Sequence, residues 1–308
     1  MVNAQRIPIP FKVDGEVFHT FVKIFGNLDA ARQSSHVCGP LVVLHGGPGM
    51  SHDSMLSLAD LASTTAVVMY DQLGSGESST LAGHPNGFIT IDLFIRELEN
   101  VLDTFGISKR FNLLGQSWGG SLAAEFVVRR KPGGLRSLVL ANASASAELR
   151  NTAVADLQAL LPEHVRIKMM KVMKKKGVDS RAFKAAMLPY HKLHTCRLEE
   201  WPEEVSYSIS LLDEESGKVV LNAILDGEKL SAEWDIRDRI HFMRHVPTLL
   251  INGAYDFITD EVCGPYFWGI DKVKWIRFAK SSHMPHYEER ELFMELVGRW
   301  LCEVDAVT

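Results

Sequence analysis

Phe111-Asn112-Leu113-Leu114-Gly115-Gln116-Ser117-Trp118-Gly119-Gly120 joins a short, mostly apolar run to a serine among small residues, and an Ala-rich stretch follows. A run of that length reads as a strand buried on both faces, and the following stretch, 121–130, reads as a helix packed back onto it. The same form recurs at 41–44, 66–70, 137–140 and 248–251, a further strand is read at 273–278, and a helical pattern at 91–105 lies between two of these runs. Strands alternating with helices predict a doubly wound, mostly parallel sheet with right-handed crossovers. Ahead of it, 7–13 and 17–25 alternate in polarity around Asp14-Gly15, as the two arms of an antiparallel hairpin do.

The rhythm stops after Asn142. From about 147 to 235 the sequence reads as helices and polar connections, and the strand pattern resumes at Thr248, with a closing helix over 288–301. The expected organisation is one α/β core, residues 1–146 and 236–308, interrupted by a helical cap, residues 147–235. Such an insertion sits over the carboxyl ends of the strands, where open α/β sheets bind ligands.

Gly115-Gln116-Ser117-Trp118-Gly119 is a G-x-S-x-G sequence between strand and helix. In that setting the serine occupies a tight turn at a helix amino terminus, and its small neighbours let backbones approach. Attack on a carbonyl passes through an oxyanion that needs preorganised N–H donors. His45-Gly46-Gly47-Pro48-Gly49 follows the strand at 41–44; Pro48 has no N–H, so Gly47 is the expected donor, with the backbone of Trp118 as the second. A serine hydroxyl also needs a base, and the base an orienting acid, in the chain order Ser, Asp or Glu, His. Asp256, just past the strand at 248–251, is the favoured acid, with Asp260 as competitor in the next helix's first turn. His283, in the loop after the last strand, is the favoured base, with His286 as rival. The turn from Tyr70 to Ser78 lacks a Gly-Lys-Thr/Ser ending, so it reads as structural and not as a phosphate loop. These residues define a serine hydrolase of the α/β-hydrolase type.

Composition narrows the partners. A net charge of −5 over 308 residues gives no reason to expect nucleic acid or an anionic membrane. The basic run from Lys168 to Lys176 reads as the solvated face of an amphipathic helix. Cys38, Cys196, Cys263 and Cys302 lie far apart with no C-x-x-C pair, which supports neither a metal site nor a disulfide framework. The amino terminus shows neither a basic leader nor an apolar core, so a cytoplasmic protein with reduced thiols is expected. No cofactor and no metal are expected, and the substrate is a small molecule or short peptide.

HGGPG at 45–49, the DQ-x-G-x-G-x-S turn at 71–78, GQSWGG at 115–120 and G-x-Y-D at 253–256 together resemble the prolyl iminopeptidase family of α/β-hydrolases. The resemblance runs on through Tyr190-His191-Lys192-Leu193-His194 and Glu200-Trp201-Pro202. It implies metal-free removal of an amino-terminal residue, or hydrolysis of amino-acid amides and related esters. Many members carry Arg in the DQ-R-G turn where this chain has Leu73, which resembles the branch of tricorn-interacting aminopeptidases and amino-acid amidases. Family members hold the substrate ammonium with cap carboxylates; the resemblance points to Glu228, with Glu200 and its neighbours Glu199, Glu203 and Glu204 as further candidates. An esterase, lactonase or acyltransferase with the same triad is the alternative enzyme, and a small-molecule receptor on a hydrolase scaffold the non-enzymatic one.

Overall fold

A computed structural model describes residues 4–33, 38–85, 87–173, 180–225 and 233–307. The hairpin forms as expected: β1 (Ala4–Val13) pairs antiparallel with β2 (Glu16–Phe25), and Asp14 and Gly15 take the turn with φ of 51° and 88°. A short helix, α1 (Leu28–Gln33), leads toward β3 (Leu41–Leu44), and β4 (Val67–Tyr70) follows. Next come α2 (Ile91–Thr104), β5 (Phe111–Gln116), α3 (Trp118–Arg130) and β6 (Leu135–Ala141). Five helices then intervene: α4 (Ala147–Ala159), α5 (Glu163–Met173), α6 (Ser180–His194), α7 (Glu203–Ser210) and α8 (Glu215–Leu225). The core resumes with β7 (Thr248–Gly253), α9 (Asp260–Gly269), β8 (Val273–Phe278), α10 (Pro285–Glu288) and α11 (Arg290–Val307).

The eight strands form one sheet in the order β1-β2-β4-β3-β5-β6-β7-β8, antiparallel through β1, β2 and β4 and parallel from β4 to β8. The apolar runs of β3 to β7 are buried on both faces, as their unbroken hydrophobicity requires, whereas β8 at the edge is buried only at Phe278. Val42 and Leu44 of β3 pack with Phe94 of α2 and Phe126 of α3, while Leu41 and Val43 pack with Met55, Phe293 and Leu301 on the other face. The order reverses at β3: the chain leaves to β4 on one side and returns to β5 on the other. That switch leaves a crevice beyond the carboxyl ends of β3 and β5, the edge where the HGGPG and GQSWGG turns emerge.

Two boundaries differ from the sequence expectation. Helix α3 begins at Trp118, not Ser121, because the helix starts directly at the turn and absorbs Gly119-Gly120. The closing helix forms two pieces, α10 and α11, with Glu289 in neither helical nor extended geometry (φ −129°, ψ 52°) at the break. On α5, Lys168 and Lys171 are exposed and Met169 is buried, but Ile167 and Met170 are exposed too, so the amphipathic face is only partial; residues 174–176 of that run lie outside the described residues.

The excursion between β6 and β7 leaves and re-enters the sheet at one place. Ser146 forms an antiparallel bridge with Asp235, Ala147 N donates to Trp234 O (2.8 Å), and Ile236 N donates to Ala145 O (3.0 Å). The returning chain is anchored on α3, where the buried carboxylate of Glu125 accepts from Trp234 Nε1 (2.9 Å) and from Arg239 Nη1 and Nη2 (3.1 and 2.9 Å).

A second buried carboxyl joins three parts of the core. Glu97 of α2 shares a 2.6 Å hydrogen bond with Thr20 Oγ1 of β2 and accepts from Leu73 N (3.0 Å) in the turn after β4. Complete burial pushes its pKa up to about 8, against roughly 4.3 in an exposed chain. The folded protein therefore keeps a proton that the unfolded chain releases. This contribution to stability is full below the unfolded pKa and is lost as pH rises toward 8. Glu97→Gln, which stays neutral, is expected to gain on the wild type by up to about 1.4 kcal/mol per pH unit across that window. Urea unfolding at pH 5, 6.5 and 8 checks this; parallel curves for the two proteins would refute it.

Candidate active site

The serine turn is shaped by close backbone packing. Ser117 has φ 56° and ψ −119°, a conformation that a non-glycine residue holds only where its surroundings fix it. A Cβ on Gly119 would sit 2.2 Å from Leu44 O, and one on Gly115 would sit 2.2 Å from Gly119 O. Only glycines let β3, β5 and the first turn of α3 approach this closely. Trp118 N–H opens α3 and has no carbonyl to bond within the helix, and Gly47 N–H likewise has no partner among the described residues. Both amides belong to residues that line a cavity of about 320 Å³ together with Ser117.

The Gly47 turn is held by a chain of side chains. His45 is buried, and its Nε2 accepts from Gln72 N (3.0 Å), so Nδ1 carries the proton and donates to Gly46 O (2.8 Å). Burial lowers the His45 pKa, which favours this neutral form. Gln72 Nε2 donates back to His45 O (3.1 Å), while its Oε1 accepts from Trp118 Nε1 (2.8 Å). Trp118 thereby links the β3 turn to the β5 turn. Asp71 holds the Tyr70–Ser78 turn, accepting from His52 N (2.8 Å), His52 Nδ1 (2.7 Å) and Glu77 N (2.8 Å). Burial alone would raise the Asp71 pKa, but the hydrogen bond and charge of His52 outweigh it and the net shift is downward.

Asp256 and His283 meet as their chain order suggested. His283 Nδ1 lies 2.8 Å from Asp256 Oδ1, which also accepts from Ile258 N (2.9 Å); both side chains are buried. Asn142 Nδ2 donates to Asp256 Oδ2 (2.6 Å), and Phe257 lies against the imidazole with ring centroids 4.1 Å apart. Gln116 Nε2 donates to His283 O (3.0 Å), fastening the histidine loop to the residue before Ser117. The two rivals lie elsewhere. Asp260 opens α9, accepting from Asn252 Nδ2 (2.8 Å) and facing Arg277 (3.3 Å). His286 is buried against Tyr287 and Phe293, with Nε2 donating to Ser54 O (3.0 Å), and burial lowers its pKa to about 4.

Of the cap carboxylates, Glu200 is exposed in the turn after α6 and does not line the cavity at Ser117. Glu199 and Glu203 are exposed too, Glu204 is half-buried on α7, and Glu228 lies outside the described residues. From the helices between β6 and β7, the cavity is instead lined by Arg150, Asn151 and Val154 of α4 and Leu225 of α8. Sequence reading also passed over Gln116, Asn142 and Glu288. Asn142 carried a signal, since it ends a strand at φ 54°, where Asn is among the few residues tolerated.

Known proteins resemble this chain in sequence and in fold. The family model described as the alpha/beta hydrolase fold matches residues 39–290. The proline iminopeptidase of Lactobacillus delbrueckii subsp. bulgaricus is 31% identical over 275 residues, 86% of this chain and 90% of that protein. The crystal structure of VinJ superimposes with a TM-score of 0.88 at 32% identity, covering 97% of this chain and 99% of the other. That of the proline iminopeptidase of Mycobacterium smegmatis gives 0.85 at 31% identity, covering 98% and 99%. The fold and the two turns at its switch point define an α/β-hydrolase scaffold. The chain belongs to the alpha/beta hydrolase fold family, on the branch that holds the proline iminopeptidases.

Glu288 braces the histidine loop from both sides. Its Oε2 accepts from Ser282 N (2.9 Å) and Met284 N (3.0 Å), and its Oε1 from Ser282 Oγ (2.8 Å) and Arg197 N (2.8 Å). An amide in its place offers one acceptor oxygen where the carboxylate offers two. Glu288→Gln is therefore expected to lose about 1–3 kcal/mol of stability. Urea unfolding at neutral pH checks this; a change below about 0.5 kcal/mol would show the bracing to be dispensable.

Proposed function

We propose that this chain is a serine hydrolase of the proline iminopeptidase type, removing an amino-terminal residue or hydrolysing an amino-acid amide through an acyl-enzyme. One observation carries the reading. The strained Ser117 and two unpaired amides share a cavity, and Gln116 ties that turn to a histidine whose imidazole is fixed by a buried carboxylate. Ser117 Oγ attacks the carbonyl carbon while His283 Nε2 takes its proton. The amides of Gly47 and Trp118 receive the oxyanion. Collapse of the tetrahedral adduct breaks the C–N bond as His283 returns the proton to the leaving amine. Water then attacks the acyl-enzyme with the same imidazole as base. Asp256 fixes the Nδ1–H tautomer and stabilises the imidazolium through both halves. In this reading residues 147–235 form a cap whose helices close the cavity, and Glu228 is the proposed partner of the substrate ammonium.

A specific observation favours a second reading. Among the described residues lining the cavity there is no carboxylate, and Arg150 places a cation there. An esterase, lactonase or acyltransferase with the same triad fits such a wall.

A screen of prolyl and alanyl arylamides against matched simple esters separates the two. Cleavage of the arylamides is expected, and turnover of esters alone would move the assignment to the second reading. Ser117→Ala is expected to abolish fluorophosphonate labelling; undiminished labelling would remove the serine from the mechanism. Asp256→Asn is expected to lower kcat by about 10⁴-fold, since the wrong tautomer is favoured. Steady-state kinetics show this, and a loss under tenfold would deny Asp256 its orienting role.

A further inference from the structure

Arg150, on the second turn of α4, lines the same cavity as Ser117, Gly47 and Trp118. Its Nε and Nη2 donate to the side-chain oxygen of its neighbour Asn151 at 3.2 and 3.1 Å, and it has no carboxylate partner among the described residues. The other long cationic side chains of the core are mostly paired: Arg129 and Arg239 with Glu125, Arg130 with Asp92 and Glu99, Arg290 with Asp60. Arg150 is half-buried, and desolvation, unrelieved by any anion among the described residues, lowers its pKa. A guanidinium taken from water without a counter-charge costs stability, so its position calls for an anion that arrives with the ligand. Its Nη1 edge has no partner among the described residues, and a planar fork of donors matches a carboxylate.

We propose that Arg150 is a specificity residue that binds a free carboxylate on the leaving half of the substrate. The proposal rests on the aminopeptidase reading above. In that reading the acyl half ends in an ammonium, which like charge excludes from Arg150. The anion therefore belongs to the leaving half. In a dipeptide the C-terminal carboxylate lies one Cα beyond the scissile nitrogen, within the same small cavity. The preferred substrates are thus dipeptide free acids, rather than longer chains or capped amides, whose nearest polar group is uncharged. Asn151 holds the guanidinium by one edge and leaves the other for the substrate.

The test compares prolylglycine with prolylglycine amide, and uses a prolyl arylamide as a substrate without a carboxylate. For the wild type, kcat/KM is expected to favour the free acid by roughly tenfold, the worth of one charge-assisted hydrogen-bonded contact. In Arg150→Met that preference is expected to disappear, mainly through a higher KM for the acid, and Arg150→Lys is expected to restore only part of it. Arylamide cleavage with equal rates on acid and amide by the wild type would overturn the Arg150 proposal and leave the peptidase reading standing. Failure to cleave any of the three would overturn both. A variant that lowers both substrates equally, keeping their ratio, would make Arg150 structural and reject its role in specificity.

Discussion

The contact on which the site depends is between backbones: the first turn of α3 rests on the carbonyl of Leu44 at the end of β3, with only a hydrogen atom of Gly119 between them. This approach fixes the sharp angle at which β5 passes into α3. Ser117 is thereby held at a positive φ that it would not otherwise adopt. The strain is local and small beside the burial of the parallel strands on both faces, so the sheet can sustain it. The same approach leaves the first amide of α3 unbonded within its helix and brings it near the turn that follows β3.

Around this contact the remaining parts are fastened by polar bridges, each tying one turn to another. The His45–Gln72–Trp118 relay joins the turns after β3, β4 and β5. Gln116 joins β5 to the histidine loop, and Asn142 joins β6 to Asp256 and to Ser282 O. Each carboxyl-terminal edge of the parallel strands from β3 to β7 therefore sends at least one side chain to another edge. Loops that would otherwise vary independently are coupled, as preorganised polar groups require.

Much of this was readable in the sequence, for identifiable reasons. Doubly buried strands announce themselves by length and lack of alternation, and Gly, Ser and Pro mark the turns by restricting what can follow. The approach of Asp256 to His283 was therefore legible from their places after the last two strands, whereas Asp260 sits at a helix start and His286 in the interior. The supporting contacts were not legible. Glu288 looks like any acidic residue near a helix, and its four hydrogen bonds depend on how the loop folds back over it. Arg150 sits in the unremarkable stretch Glu148-Leu149-Arg150-Asn151, and its importance arises only when α4 is laid across the cavity. Periodicity places a helix; it does not tell which neighbour, across a hundred residues of chain, the helix will meet.

The paired exit and re-entry at Ser146 and Asp235 has an evolutionary implication. Because both ends of the excursion are stitched at one point of the scaffold, whatever lies between them can lengthen, shorten or be exchanged without disturbing strand register. The entropic penalty for a longer detour grows only with the logarithm of its length. Under the function proposed above, chemistry and selectivity are carried by separable modules, and descendants of such a chain could acquire new substrates by rebuilding the removable half while inheriting the reactive half intact.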